Sequence, residues 1–137
     1  MSGAPLPGPA PVISPETKPF WDATLEGRLL IKHCEDCGEN HWYPRSLCPF
    51  CGSFSTTWLE ASGRGEVYTF AVTRRGLGEY QDATPYVLAY VQLAEGPRMM
   101  TNIVDCDVDE LAVGDAVEVV FHRTATDAAL PRFRPVR

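Results

Sequence analysis

The sequence lacks the long apolar stretches that would carry the chain into or across a membrane. No run reaches eighteen apolar residues, so no membrane-spanning helix is predicted. Residues 1–15 have neither the basic start nor the apolar stretch of a secretory signal. We therefore expect the protein to work in a cytoplasmic, reducing compartment.

Basic residues are also scarce. Lysine and arginine together number 12 against 18 aspartates and glutamates, which gives a formal net charge of −6. A protein that binds phosphate groups usually has a basic face, so nucleic acid is not expected to be the main partner. Hydrophobic residues make up 45% of the 137 residues, which is enough for the core of one ordinary domain or of two very small ones.

The chain divides into three parts. Residues 1–14 are rich in proline and indicate an extended tail, or a linker from a preceding domain. Residues 15–60 are predicted to hold one helix and a small cysteine-containing unit. Ser14 and Pro15 are typical of a helix start and Gly27 of a helix end, so the helix is expected over residues 15–26.

Residues 61–137 form the third part and consist mainly of predicted β-strands. Five segments are rich in β-branched and aromatic residues, at 66–73, 86–93, 99–104, 117–122 and 133–136. The fifth is the weakest, and Pro135 favours an edge position for it. Five short strands at this spacing predict a mainly β unit, either a small sandwich or a closed barrel.

Four of the five cysteines occur as two copies of one pattern, Cys-x-x-Cys-Gly. Cys34 and Cys37 form the first pair, and Cys48 and Cys51 the second. Two residues between paired cysteines let the chain turn back so that both sulfurs reach one ion, and the following glycine suits the positive φ that closes the turn. Two such turns facing each other predict a tetrahedral four-thiolate metal site.

The pattern favours a structural Zn²⁺ ion. An iron ion in the same site and a set of redox-active or simply buried cysteines are the alternatives. Four protein ligands leave no open position for water or substrate, so the site is expected not to be catalytic. Cys106 stands between two aspartates, which disfavour its thiolate, and His33, His41 and His122 are interpreted as structural or surface residues.

Several motifs, taken in order, resemble the DUF35 family of acyl-CoA-associated proteins. They are Pro19-Phe20-Trp21, Gly27-Arg28-Leu29, the two cysteine pairs, and the segments 62–68, 85–93, 114–119 and 130–135. The resemblance covers nearly everything from Pro15 onward. It implies an N-terminal helix, a rubredoxin-like zinc ribbon and then a five-stranded OB-fold barrel.

The resemblance also implies partnership rather than chemistry. Members of the family associate with thiolase-superfamily enzymes or with hydratases of acyl-CoA metabolism, and some follow a hot-dog-fold hydratase domain in one chain. In steroid side-chain degradation such a module pairs with a thiolase-like aldolase. The chain is therefore expected to be a non-catalytic accessory subunit of a hetero-oligomer, and its proline-rich start would suit a piece of such a fusion. The family has no catalytic motif to carry over beyond the four cysteines.

Two surfaces and two other functions are considered. Residues 74–85, with Leu77 and Tyr80, and the C-terminal residues 130–137 are candidate docking segments, while Arg74, Arg75 and Arg98 are equally explained as CoA phosphate contacts or as surface residues. The alternative function is single-stranded nucleic-acid binding through barrel aromatics. Electron transfer through an iron site is a further alternative, which would leave the barrel unexplained.

Overall fold

The computed structural model describes residues 6–136, and the predicted tail falls partly outside this range. The helix α1 spans Lys18–Thr24, shorter than the predicted 15–26. Pro19 has no N–H to donate to the carbonyl four residues back, so regular helical bonding begins only with the Trp21 N–H, which donates to the Thr17 carbonyl at 3.2 Å. The helix buries Phe20 and Trp21 against the rest of the molecule.

A three-stranded antiparallel sheet follows the helix. Its strands are β1 (Leu29–Cys34), β2 (Asn40–His41) and β3 (Thr56–Ala61), and β1 lies in the centre. β1 is buried at every position except His33, which is half-buried. The ammonium group of Lys32 on β1 lies over the ring of Trp58 on β3, 4.2 Å from its centroid, so this partly desolvated charge is held by an aromatic face.

The remaining strands close into a five-stranded barrel, as expected. They are β4 (Arg64–Thr73), β5 (Tyr86–Leu93), β6 (Arg98–Ile103), β7 (Ala116–Arg123) and β8 (Ala129–Pro135), in the order β4-β5-β6-β8-β7. The edge position favoured for the last strand is wrong. β8 pairs with β7 along its whole length and with β6 at one position, and this closes the barrel. Pro135 is tolerated because it is the last residue of the strand.

Two glycines explain how the ribbon joins the barrel. Gly63 has φ +82°, a conformation that favours glycine, and an added Cβ would lie 2.5 Å from Cγ1 of Val119. Gly65 lies so close to β5 that an added Cβ would be 2.5 Å from the carbonyl oxygen of Gln92. The turn at Gly63 and the start of β4 at Gly65 are therefore closed to larger side chains.

One hydrophobic core runs through both units. It joins Phe20, Leu29 and Ile31 of the first unit to the inward-facing residues of the barrel, among which Phe133 is fully buried. The hydroxyl of Thr24 at the end of α1 accepts a hydrogen bond from the Ala129 N–H at 3.0 Å. The ribbon is therefore packed onto the barrel rather than tethered to it.

The described part of the proline-rich segment lies against the barrel. Residues 6–14 form neither helix nor strand, but Ile13 packs on the core and the carbonyl of Pro7 accepts a hydrogen bond from Arg132. The interpretation of residues 1–14 as a tail or linker remains a prediction. Across residues 6–136, no helix combines the length and the apolar character needed to cross a membrane.

Candidate metal centre

The two cysteine pairs fold into nearly identical turns. In the first, the N–H of Gly38 donates to the carbonyl of Cys34 at 2.9 Å, and in the second the N–H of Gly52 donates to Cys48 at 3.0 Å. Both glycines have positive φ, +77° and +80°, as the repeated pattern predicts. The first turn follows β1, which anchors Cys34, while the second lies in the loop between β2 and β3.

The structure brings all four predicted thiols together. Their sulfurs lie within 4.8 Å of one another. The Sγ atoms of Cys34 and Cys51 are 3.6 Å apart, and those of Cys37 and Cys48 are 3.7 Å apart. Four sulfurs placed tetrahedrally about 2.3 Å from a zinc ion would be separated by about 3.8 Å. The donor set and its spacing therefore fit one tetrahedral ion.

Backbone amides prepare the site for negatively charged sulfur. The N–H groups of Cys37 and Phe50 point at the sulfurs of Cys34 and Cys48, with N to S distances of 3.5 and 3.4 Å. The amide of Cys37 lowers the pKa of the Cys34 thiol to about 7. The amide of Glu39 acts in the same direction on Cys37, but burial and the neighbouring thiols outweigh it and raise that pKa to about 12. Four thiolates can therefore exist together in this cluster only when they bind a cation.

The four sulfurs would fill all four ligand positions of a tetrahedral ion. Cys34 and Cys48 are buried, whereas Cys37 and Cys51 are exposed at the tip of the ribbon. Such a closed centre crosslinks the two turns and offers no ligand position to a substrate. The segment between the turns, residues 38–47, is consequently fastened at both ends.

The other candidate residues lie outside this cluster. His33 Nδ1 is 2.7 Å from the amide oxygen of Asn40, and His41 is buried with its Nε2 3.2 Å from the carbonyl oxygen of Arg45. The thiol of Cys106 faces the carbonyl of Ile103 at 3.9 Å. His122 accepts a hydrogen bond from Arg132 at 2.9 Å. Within residues 6–136, the group that could hold a metal is made of the four cysteines.

The arginines considered for CoA do not form one site. Arg74 is paired with Asp109 at 3.4 Å, beside a cavity of about 450 Å³ that is also lined by His122 and three aspartates. Arg98 lies at the other end of β5, paired in register with Gln92, and its guanidinium stacks 3.8 Å above the ring of Tyr68. Six residues of extended strand separate the two ends, roughly 20 Å.

The proposed docking segments have different characters. In residues 74–85, Leu77 is 83% exposed, and Tyr80 lies on a 3₁₀ helix (Gly78–Ala83) and contacts Tyr86. Residues 130–135 are not a free tail, because they belong to β8 and Phe133 fills the barrel core. Deleting these C-terminal residues would remove a strand from the barrel, and docking through their exposed side chains remains a prediction.

One buried charged residue was not anticipated. Arg132 is 2% exposed, and its guanidinium donates to His122 Nδ1 and to the carbonyl of Pro7. Burial lowers the pKa of this guanidinium. No local pattern separates Arg132 from the exposed Arg134 in the same strand, since its partners lie 10 and 125 residues away.

A closed four-thiol centre on a three-stranded ribbon, packed on a five-stranded barrel of this strand order, defines a zinc-ribbon plus OB-fold protein. Family models agree with both halves. Residues 21–57 match the model described as "ChsH2, rubredoxin-like zinc ribbon domain", and residues 58–122 match "ChsH2, C-terminal OB-fold domain".

Similar proteins are found among curated and solved relatives. The chain is 39% identical over 98 residues to a "DUF35 domain-containing scaffold protein" of Methanothermobacter thermautotrophicus, covering 69% of this chain and 72% of the relative. It is 34% identical over 127 residues to a "Probable enoyl-CoA hydratase alpha subunit" of Thermomonospora curvata, covering 93% of this chain but only 40% of the relative. A solved chain from "Ltp2-ChsH2(DUF35) aldolase" superposes with a TM-score of 0.80 and 33% identity, over 92% of this chain and 98% of that one. The protein therefore belongs to the DUF35 family.

Proposed function

We propose that the chain is a non-catalytic accessory subunit that binds and supports a thiolase-superfamily enzyme acting on acyl-CoA thioesters. The observation that carries this proposal is the likeness, along almost the whole chain, to the DUF35 chain of an aldolase. The closed metal centre supports it, because a four-thiolate site holds structure and leaves the chemistry to another protein. The expected assembly is a cytoplasmic hetero-oligomer.

In this proposal Cys34, Cys37, Cys48 and Cys51 hold a structural zinc ion. The sulfur spacing suits zinc, and iron accepts the same tetrahedral sulfur ligands. The colour and metal content of the purified protein distinguish the two ions. A colourless protein with one equivalent of zinc supports the proposal, and a red protein with an iron charge-transfer spectrum contradicts it.

The acyl-CoA substrate class is supported by the hydratase name of the Thermomonospora curvata relative. A thiolase-like aldolase is the particular partner that we favour, because the solved complex is an aldolase, and a steroid-CoA side chain is the substrate that the family resemblance implies. A hydratase, of the hot-dog fold that the family resemblance implies, is a second proposed partner, because the Thermomonospora curvata relative is named a hydratase subunit.

Co-expression tests the proposal. The chain is produced with each thiolase-superfamily protein and each hydratase encoded beside it, and complexes are isolated through a tag on this chain. Cleavage of CoA thioesters is then measured with and without the chain. A thiolase-superfamily enzyme that co-purifies and loses activity without this subunit supports the proposal, whereas an active enzyme that never binds it refutes it.

Single-stranded nucleic-acid binding is the alternative function. Two half-exposed tyrosines, Tyr68 and Tyr90, lie on the outer face of the barrel, where bases could stack. The charge opposes this function, because the net charge is −6 and Arg98, the cation beside Tyr68, is already stacked on that ring. Labelled oligonucleotides at low salt provide the test, and salt-sensitive binding would favour the alternative.

A further inference from the structure

An exposed apolar surface runs from the ribbon to the barrel. Its members are large side chains between 37 and 53% exposed, which we call the apolar band: Tyr43 and Leu47 on the ribbon, and Tyr68, Leu88, Tyr90 and Met100 on the barrel. Monomeric proteins rarely leave connected apolar surface of this kind uncovered.

The strand register makes the barrel half continuous. Tyr90 on β5 is paired with Met100 on β6, and Leu88 lies two residues along β5 on the same outer face. On the other side, Thr69 of β4 is paired with Tyr90. A shift of register between Val67 and Thr69 leaves both Tyr68 and Thr69 on the outer face beside Tyr90.

Two cavities connect the barrel half to the ribbon half. A cavity of about 210 Å³ at the junction is lined by Tyr43 and Met100, together with Trp42 and Tyr80. Tyr43 and Leu47 share the lining of a second hollow on the ribbon. The junction cavity is smaller than the roughly 300–1,000 Å³ of ordinary ligand pockets. Its size and apolar lining suit a side chain inserted by another protein.

The outer face of β4, β5 and β6 carries few charges, although the chain as a whole is acidic. Arg64, Glu66 and Arg98 are the charged residues of this face, and Arg98 is stacked on Tyr68 and donates to Gln92 at 3.0 Å. Tyrosine, methionine and arginine are enriched at protein interfaces, while lysine, aspartate and glutamate are depleted there. Two arginines, one of them stacked on a tyrosine, and one glutamate give this face too little positive charge to complement a phosphate backbone, so a protein partner fits this surface better than a nucleic acid.

The area of the band indicates how much of the partner it meets. A stable interface covers about 800 Å² on each side, and a large aromatic side chain buries on the order of 150–250 Å² when completely covered. Four half-exposed barrel side chains therefore supply only about half of the required area. A partner held through this face must reach the ribbon as well, where Tyr43 and Leu47 continue the surface.

We propose that the apolar band is the docking surface for the enzyme subunit, and that the metal centre holds its ribbon half in position. This inference rests on the proposed function, because the occupant to which it commits is the thiolase-superfamily partner. Tyr43 and Leu47 belong to the segment 38–47 that the two cysteine turns fasten at both ends. The metal thereby acts on binding through the placement of two apolar side chains.

Charge substitutions within and outside the band test the inference on the co-expressed complex. Tyr90→Glu and Met100→Glu are expected to raise the dissociation constant of the complex at least 30-fold, and Tyr43→Glu at least tenfold. Each substitution would bury a carboxylate in the interface. Val113→Glu is the matched control, since Val113 is 65% exposed and lies outside the band, and its binding should stay within threefold of wild type. Tyr90→Ala and Met100→Ala repeat the test without a charge, and melting temperature and metal content check that each variant is folded.

The outcomes separate the inference from the proposed function. A wild-type complex that the three band variants leave unchanged overturns the docking surface but not the partnership. A wild-type chain that binds none of the thiolase-superfamily proteins refutes the proposed function instead. If light scattering shows that the wild-type chain is a homodimer and that Met100→Glu makes it a monomer, the band binds a second copy of the chain, and the inference is overturned. Oligonucleotide binding lost in Tyr90→Glu would overturn it in favour of nucleic acid.

Discussion

Replacing one metal-ligating cysteine should prevent the ribbon from folding, whereas replacing Cys106 should not. Structural zinc sites contribute on the order of 10–16 kcal/mol of apparent binding free energy at neutral pH. A whole domain is stable by only about 5–15 kcal/mol. Cys48 lies in the loop between β2 and β3, where the second turn has no strand to hold it in place. Loss of the metal therefore removes a contribution as large as the stability of a whole domain.

The assay compares Cys48→Ser with Cys106→Ser. We expect the first variant to be insoluble, or to contain less than a tenth of an equivalent of metal and to have lost its near-ultraviolet circular dichroism. The second should keep the metal and the wild-type spectrum, because Cys106 contacts the carbonyl of Ile103 and lies outside the cluster. A soluble, monodisperse Cys48→Ser protein with an unchanged spectrum and no metal would refute the reasoning.

The same centre should respond steeply to pH. The ligands are thiolates, and Cys34, with a pKa of about 7, is the thiol in the metal-free cluster that ionises near neutrality, while the pKa of Cys37 is about 12. Protons therefore compete with the metal for three to four sulfurs, so affinity should fall by roughly three to four powers of ten between pH 7 and pH 6. Competition with a chromophoric chelator measures this slope, and a slope near zero would contradict four thiolate ligands.

Two further predictions concern the barrel. Gly63→Ala should lower the free energy of unfolding by about 2–4 kcal/mol, because of its positive φ and the contact with Val119. Gly27→Ala is the control: Gly27 has φ +75° but open space around it, so the loss should be about 1–2 kcal/mol. Denaturant unfolding measures both losses, and adding Val119→Ala to Gly63→Ala should recover part of the difference. Burial and Arg132 lower the pKa of His122 below 6.5, so the folded state resists protonation and should lose stability as the pH falls from about 6.5 toward that lowered pKa. His122→Gln should remove this loss in metal-saturated protein, and identical pH profiles for the two proteins would exclude His122 as its source.

Local patterns explain which parts of the structure could be predicted from the sequence. The cysteine turns were predictable because the pattern Cys-x-x-Cys-Gly specifies both the ligand spacing and the positive φ that follows. The first four barrel strands were predictable within two residues from their β-branched and aromatic content. The helix starts later than predicted because Pro19 removes a hydrogen bond within the expected range, although Ser14 and Pro15 resemble a start.

Features set by distant contacts were not predictable. Pro135 favours an edge position for the predicted strand 133–136, but closure of the barrel depends on the pairing of β8 with β6 and β7, which the sequence of β8 does not reveal. Arg132 is buried by partners that the barrel brings to it. The apolar band also depends on contacts between distant parts of the chain. Alternation places Leu88 and Tyr90 on one face, but which face remains uncovered depends on where the core forms.

In the proposed assembly, one segment of chain connects the metal site to the apolar band, and through this segment a closed metal site would act on a partner enzyme that it does not touch. The segment 38–47 leaves the first cysteine turn, carries Tyr43 beside Met100, and enters the second turn. If the ion leaves, both ends of the segment are released. Binding of the partner must then offset the free-energy cost of ordering Tyr43 and Leu47. Metal removal should therefore weaken assembly while leaving the partner's catalytic residues unchanged. In a preformed complex, a chelator should accelerate dissociation, and the rate of the chemical step per intact complex should stay constant.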